Sequence, residues 1–201
     1  MNKKRLLKAI LFTILLLNVF TISAYAGSQS RASLPYRWKL KQVTINFYLD
    51  TGSEWRGPVQ RALDTWNAVK AENATDLVPM KLVSDSSCVN KFKYTYGSFG
   101  GWIAKADVSH SGGYINSVQI IFDSAESYAD GAVSGRYDRQ SIAVHELGHA
   151  IGVAHCHEQS DNSPCSSSTC SSNVMTPVSE TNRTKRTLTS YDISSKRERY
   201  Q

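Results

Sequence analysis

The chain has 201 residues, of which 41% are hydrophobic and 20% charged, a composition that indicates one globular domain and excludes a disordered or collagen-like chain. The formal net charge of +6 raises nucleic acid and anionic membranes as partners, but four of the cations lie within the first eight residues. Without residues 1–26 the chain has 19 basic and 17 acidic residues, so we predict no nucleic-acid partner.

Residues 1–26 have the three parts of a secretory signal peptide. The cations are followed by an apolar run over residues 9–20 and by the small-residue pattern Ala24-Tyr25-Ala26. The apolar run is shorter than the roughly 20 residues that span a bilayer, which disfavours the alternative of a retained membrane anchor. We predict cleavage after Ala26, secretion of residues 27–201 as a single domain, and no membrane attachment after cleavage.

The first half of the secreted chain alternates between strand and helix patterns. Apolar and polar residues alternate over residues 43–49, which predicts a strand with one buried face. Pro58 then opens a helical pattern that continues to Val69. Residues 80–83 and 92–96 predict two further strands.

The second half adds two strands and two helices. Strands are predicted over residues 102–106 and 118–122, with a glycine turn between them, and a helix over residues 138–150. The serine-rich residues 156–173 predict a long irregular loop, and a capping box formed by Thr189 and Asp192 predicts a terminal helix. These elements predict one α+β domain with a twisted five-stranded mixed sheet and three helices.

Four cysteines lie in the secreted part of the chain, and an even number in an oxidising compartment predicts two disulfides. Three pairings of Cys88, Cys156, Cys165 and Cys170 are open. The short separation of Cys165 and Cys170 favours a local loop, which pairs Cys88 with Cys156. The alternative, a structural zinc site made by Cys156, His157, Cys165 and Cys170, fits no standard zinc-finger spacing.

Residues 145–155 carry three histidines with the spacing of a catalytic metal site. His145 and His149 are four apart, so on a helix both imidazoles face the same zinc ion. His155 is too far along to share that face, and Gly152 permits the sharp turn that returns it to the metal. Three protein ligands leave one coordination position open, as in catalytic zinc sites.

Glu146 directly follows the first of these histidines. From that position its carboxylate can take a proton from a water molecule that the metal acidifies, and pass the proton to a leaving amine. We predict Glu146 as the catalytic base.

The motif resembles that of a known family. His-Glu-x-x-His-x-x-Gly-x-x-His is the signature of the metzincin zinc endopeptidases, and residues 173–177, Asn-Val-Met-Thr-Pro, look like their Met-turn, with Met175 beneath the zinc ligands. Within the metzincins the chain is most similar to the matrixin catalytic domain, over residues 35–199. The resemblance implies that residues 27–201 form a single zinc metallopeptidase catalytic domain.

The resemblance also implies how substrate binds. An extended protein or peptide would lie along an edge strand at Trp102, Ile103 and Ala104. The pocket after the cleavage point would have walls near Val144 and residues 176–178. One catalytic Zn²⁺ is the expected cofactor, and we expect a monomer.

Two further metal sites receive less support from the sequence. A second, structural zinc is not expected, since only His110 and His157 remain outside the motif. Asp107, Asp123 and Asp130 are the candidate carboxylates for calcium, which is not predicted.

The predicted function is therefore that of a secreted zinc endopeptidase. The alternative is a secreted binding module on an inactive metalloprotease fold, which would use surface aromatics such as Trp102 and Tyr94. Such a module has little need of Glu146, whose presence favours the enzyme.

Overall fold

The structure, a computed structural model, describes residues 33–39, 44–71, 77–96, 101–156, 170–177 and 179–200. The predicted signal peptide, residues 1–26, lies outside these ranges, as do His157, Cys165 and Val178.

The described residues form a five-stranded mixed sheet. Its strands are β1 (Ile45–Asp50), β2 (Met80–Val83), β3 (Lys91–Thr95), β4 (Ala104–Ser111) and β5 (Tyr114–Asp123). Their spatial order is β2-β1-β3-β5-β4, and all neighbours are parallel except the antiparallel pair β4 and β5. Strands β2 and β4 are therefore the two edges of the sheet.

Three helices complete the predicted α+β architecture: α1 (Arg56–Asn67), α2 (Arg139–Ala150) and α3 (Ser190–Tyr200). A single 3₁₀ turn, Ser53–Trp55, precedes α1. The predicted mixed sheet with three helices is confirmed. A separate pair of two-residue strands, β6 (Tyr128–Ala129) and β7 (Tyr137–Asp138), was not predicted, because two residues cannot show a periodic pattern. None of the described helices has the length and apolar character needed to span a lipid bilayer.

The core lies between one face of the sheet and helices α1 and α2. Alternate strand residues such as Phe47, Phe92 and Ile120 are fully buried there, as the period-two pattern requires. Helix α1 is joined to α2 by Trp66, whose indole N–H donates to the carbonyl of Val144 at 2.7 Å. This bond places the histidine-bearing helix against the core.

The β4–β5 hairpin is longer than predicted. The sequence predicts strands over residues 102–106 and 118–122, whereas β4 extends to Ser111 and β5 begins at Tyr114. Gly112 and Gly113 both have positive φ, 55° and 78°, so the turn closes tightly and the strands pair up to it. The extension contains many polar residues, so the alternation of apolar and polar residues did not predict it.

The predicted disulfide pairing is wrong. Cys156 is bonded to Cys170, with 6.0 Å between their Cα atoms, so these two sulfurs are not zinc ligands either. Cys88 is a free thiol that donates to the carbonyl of Asn46 at 3.2 Å, beside β1. The prediction relied on the short sequence separation of Cys165 and Cys170, whereas Cys156 and Cys170, with a separation of 14, are the cysteines that lie close in space.

Candidate metal centre

Helix α2 presents two of the three histidines. Its N-terminus is capped by Asp138, whose side chain accepts from the N–H of Ser141 at 3.0 Å. His145 and His149 lie one turn apart on the same side of the helix. Their Nδ1 atoms lie 2.8 Å from the carbonyl of Val174 and 2.9 Å from that of Val153. A carbonyl can only accept, so both Nδ1 atoms carry the proton and both Nε2 atoms present a lone pair.

A sharp turn brings the third histidine to the same place. Gly152 has φ of 83°, and the N–H of Val153 returns to the carbonyl of Gly148 at 2.9 Å. A Cβ at residue 152 would overlap the carbonyl oxygen of Tyr36, so this position requires glycine for space as well as for φ. The turn carries His155 back to the side of α2 where His145 and His149 lie.

The three Nε2 atoms form a nearly equilateral triangle. Their separations are 3.1 Å between His149 and His155, 3.2 Å between His145 and His149, and 3.3 Å between His145 and His155. Nitrogens bound at 2.0–2.1 Å to one tetrahedral zinc ion are about 3.3–3.4 Å apart. Converging lone pairs repel one another unless a cation lies between them, so the donor set fits zinc. No fourth ligand atom from the described residues joins the group.

The electrostatics of His149 suit a neutral ligand. Burial lowers the pKa of His149 well below its usual value, and the neighbouring His145 and His155 lower it further. The hydrogen bond to Val153 opposes this shift without reversing it. The imidazole is therefore uncharged at neutral pH, as metal binding requires.

Glu146, which directly follows His145, is buried and its carboxyl group contacts edge strand β4. Burial raises the pKa of its carboxyl to about 8, and a hydrogen bond from the backbone N–H of Ala106 opposes that rise only in part. Ile103 accepts from the N–H of Asp123, so alternate residues of β4 direct their polar groups toward β5. The backbone polar groups of Ala104 and Ala106 point away from β5, toward the outer side of the edge strand. This direction explains how the N–H of Ala106 reaches the carboxyl group of Glu146.

Met175 lies under α2, next to the predicted ligands. Its side chain is fully buried and fills the space beside Gly148 that a Cβ would occupy. The sequence did not indicate that Asp192, at the start of α3, holds this turn: its carboxylate accepts from the N–H groups of Val174 at 3.1 Å and Met175 at 3.3 Å. Asp192 also accepts from the N–H of Thr189 at 2.8 Å, within the predicted capping box.

The edge strand differs in extent from the predicted substrate site. Of Trp102, Ile103 and Ala104, only Ala104 belongs to β4, and it is buried. Ile103 precedes the strand, and its carbonyl accepts from Asp123 and from the hydroxyl of Tyr128. Trp102 is 61% exposed and lies just outside the sheet.

A cavity opens beside His145, between α2 and the segment that follows Met175. Ile142 and Val174 form part of its wall near the triad, together with Thr176. The resemblance implied a pocket between these two segments.

The wall was predicted near Val144, and the apolar residue of α2 that lines the cavity is Ile142, two positions earlier. Val144 itself is fully buried in the core, and its backbone carbonyl accepts from the indole N–H of Trp66. Ile142 takes the place of Val144 because two residues along a helix rotate the side chain by more than half a turn.

The acidic residues considered for calcium have partners within the chain. Asp107 lies 3.3 Å from the ammonium of Lys105, and Asp130 lies 3.3 Å from the guanidinium of Arg139. Asp123 is buried and accepts from the N–H of Ala125 at 2.9 Å. No group of these carboxylates with metal-ligand spacing occurs among the residues described.

Comparison with known proteins adds one finding to this geometry. A family model described as Matrixin matches residues 37–201 of the chain. No curated protein matches the chain.

Proposed function

The chain belongs to the matrixin family, a family of zinc metallopeptidases, and from this membership we propose that it is a secreted endopeptidase that cuts internal peptide bonds of proteins. The observation that carries the proposal is the triangle of three Nε2 atoms, with a buried glutamate directly after the first of these histidines. The proposed ligands are His145, His149 and His155. A zinc ion held by these residues would supply Lewis acidity for polarising a peptide carbonyl and for acidifying water.

Glu146 is the proposed general base and acid. Glu146 directly follows the proposed ligand His145 and is buried, which suits its carboxylate to accept a proton from water beside the metal. The same oxygen then delivers the proton to the leaving amine. The N–H of Ala106 orients the carboxyl group, and no residue of the chain becomes covalently bound to substrate.

Edge strand β4 is the proposed binding site for the substrate main chain. On its outer side β4 has no neighbouring strand among the described residues, so an extended peptide can pair with this edge as one more strand. Such pairing places a peptide carbonyl near the triad without requiring a particular side chain.

Secretion is supported by the sequence of residues 1–26 and by the disulfide between Cys156 and Cys170. Disulfides of this kind persist in oxidising compartments outside the cytoplasm. We propose that the active form is the chain from Gly27 to Gln201, with an unfolded protein or peptide as substrate.

The decisive experiment compares the purified 27–201 chain with Glu146→Gln on an unfolded protein substrate, with and without a zinc chelator. We expect chelator-sensitive cleavage, restored by added zinc, and a loss of about 10²–10⁴-fold in Glu146→Gln because the general base is missing. The variant should still bind one zinc ion per chain by metal analysis. Glu54→Gln, on an exposed glutamate in the 3₁₀ turn before α1, is the matched control and should retain full activity.

Two results would reject the enzyme. Cleavage that survives both the chelator and Glu146→Gln would place the activity elsewhere. A folded, zinc-bound chain that cuts nothing would favour the alternative binding module, for which the 61% exposed Trp102 offers a surface aromatic.

A further inference from the structure

Charged side chains line the cavity beside His145. Besides its apolar wall it is lined by two acidic and two basic residues: Asp138, Glu180, Arg183 and Lys185. The charges are confined to the side of the cavity formed by the start of α2 and residues 179–185. What the cavity selects therefore depends on which of these charges are already neutralised.

Asp138 is neutralised within the chain. Its side chain is fully buried and pairs with the guanidinium of Arg186 at 2.6 Å, with a second bond at 2.8 Å. It also accepts from Gly131 at 2.7 Å and from the hydroxyl of Ser141 at 2.6 Å. These donors satisfy the carboxylate, so Asp138 has no capacity left to attract a cationic side chain.

Glu180 and Arg183 form the second pair, with 2.9 Å between carboxylate oxygen and guanidinium nitrogen. Lys185 is the remaining charge, and no described acidic residue lies within ion-pair distance of its ammonium. Its backbone N–H donates to the hydroxyl of Ser141 at 2.7 Å, which fixes residue 185 against α2.

The ammonium of Lys185 interacts electrostatically with Glu180 and Arg183. Burial lowers its pKa, the attraction of Glu180 raises it, and the repulsion of Arg183 lowers it again. Glu180 thus attracts Lys185 from a distance but is within ion-pair distance of Arg183 alone. With Asp138 paired to Arg186, the described lining residues leave one positive charge, that of Lys185, without a close counterion.

We propose that this cavity selects an acidic side chain, glutamate or aspartate, on the residue that follows the cleaved bond, and that Lys185 is the residue that determines this specificity. The inference rests on the proposed function, since it assigns the cavity to the substrate of the same site. The apolar wall of Ile142 and Val174 contacts the methylene groups of the entering side chain, and its carboxylate pairs with Lys185. A lysine in the same position meets like charge, and a leucine leaves the ammonium partly desolvated without a partner.

The test uses fluorescein-labelled octapeptides of alanine and glycine in which one position is glutamate, glutamine, leucine or lysine. For the wild-type chain we expect kcat/KM about tenfold higher for the glutamate peptide than for the lysine peptide, with glutamine between them. Mass spectrometry of the products verifies that the varied residue follows the cut.

Substitutions at residue 185 locate the origin of the preference. Lys185→Glu should invert the order, so that the lysine peptide is cut faster than the glutamate peptide, and Lys185→Met should bring the two near parity. Lys81→Glu makes the same charge change at an exposed position on β2, the opposite edge of the sheet, and should leave the wild-type order intact. Equal rates for all peptides in the wild type, or an order that Lys185→Glu does not alter, would overturn the proposal.

Binding separates this proposal from the proposed function. Fluorescence anisotropy of the same octapeptides is measured on zinc-loaded Glu146→Gln, which need not cut them. If the wild type cuts no peptide, the endopeptidase proposal fails. Tighter binding of the glutamate peptide, reversed by Lys185→Glu, would still support a pocket that selects acidic side chains. If cleavage occurs and binding favours leucine over glutamate, the endopeptidase stands and the selection of acidic side chains is refuted.

Discussion

At Gly148 the histidine-bearing helix touches the turn beneath it. A Cβ on this residue would overlap the sulfur of Met175 and lie 2.8 Å from its methyl group and 3.0 Å from Cζ2 of Trp66. Glycine inside a helix is less favourable than alanine by about 1 kcal/mol. Here the close approach of helix and turn outweighs that cost, because it packs Met175 against the helix at Gly148, between His145 and His149.

Gly148→Ala should therefore destabilise the fold. We expect the free energy of unfolding to fall by about 1–3 kcal/mol, because Met175 and Trp66 must move to admit the methyl group. Urea denaturation measures the loss, and zinc titration should show weaker binding as Met175 shifts the turn. Gly57→Ala is the control: in α1 its Cβ meets only the flexible end of Arg61, so stability should be unchanged or higher. Equal effects of the two substitutions would contradict this account.

At the level of elements, the start of α2 is held by a single carboxylate. Asp138 caps the helix through Ser141, and it joins the helix to the loop of β6 and β7 through Gly131. Its pairing with Arg186 ties the segment after the Met-turn to the same point. The position of α2, and with it the position of two histidines, depends on this junction.

The stability of the fold should vary with pH through Asp138. Burial opposes ionisation of this carboxyl group, but hydrogen bonds from Arg186 and Ser141 outweigh burial and lower its pKa. Because the folded pKa lies below the unfolded value of about 3.9, the stabilisation is complete above about pH 5 and is lost as pH falls through 4 and below.

Asp138→Asn should remove this dependence. Asparagine still caps a helix, so the loss of about 1–3 kcal/mol expected at pH 7 reports the pairing with Arg186. Denaturation curves from pH 7 to pH 3 should show a shallower decline than in the wild type. Asp107→Asn, in an exposed pair with Lys105, should change stability by less than about 0.5 kcal/mol. An unchanged pH slope in Asp138→Asn would show that other carboxylates dominate.

In the molecule as a whole, both ends of the described domain meet at the turn that carries the third histidine. The indole N–H of Trp38 donates to the carbonyl of Ala150 at 2.8 Å, and the hydroxyl of Tyr200 donates to that of Ile151 at 2.7 Å. The N–H of Trp38 lies 3.2 Å from the Tyr200 hydroxyl, which joins the two ends. Cys156, one residue beyond His155, is bonded to Cys170, which adds a covalent link next to the same turn.

Loss of the disulfide should weaken both the fold and the metal site. The bond closes a loop with a sequence separation of 14, for which chain entropy predicts a stabilisation of about 3 kcal/mol. Replacing Cys156 and Cys170 together with serine should lower the free energy of unfolding by about that amount and reduce zinc affinity, since His155 loses its anchor. Cys88→Ser, at the free thiol, should change neither quantity by more than about 0.5 kcal/mol. If the wild type treated with a phosphine reductant is as stable as the oxidised chain, the disulfide contributes nothing.

Local patterns by themselves determined the strand and helix order, the histidine triad and the cap of α3. Each depends on spacing within one element, where the period of a strand or helix dictates which side chains share a face. The metzincin signature in residues 145–155 likewise predicted the family that the match over residues 37–201 shows.

Only the tertiary structure decided the contacts that join distant segments. It paired Cys156 with Cys170, faced Ile142 rather than Val144 into the cavity, and tied Asp192 to the turn of Met175. It also placed Lys185 beyond ion-pair distance of every described acidic residue, in a cavity where Asp138 and Glu180 pair with other cations. Such contacts depend on how packed elements orient their faces, and no periodicity along the chain encodes that orientation.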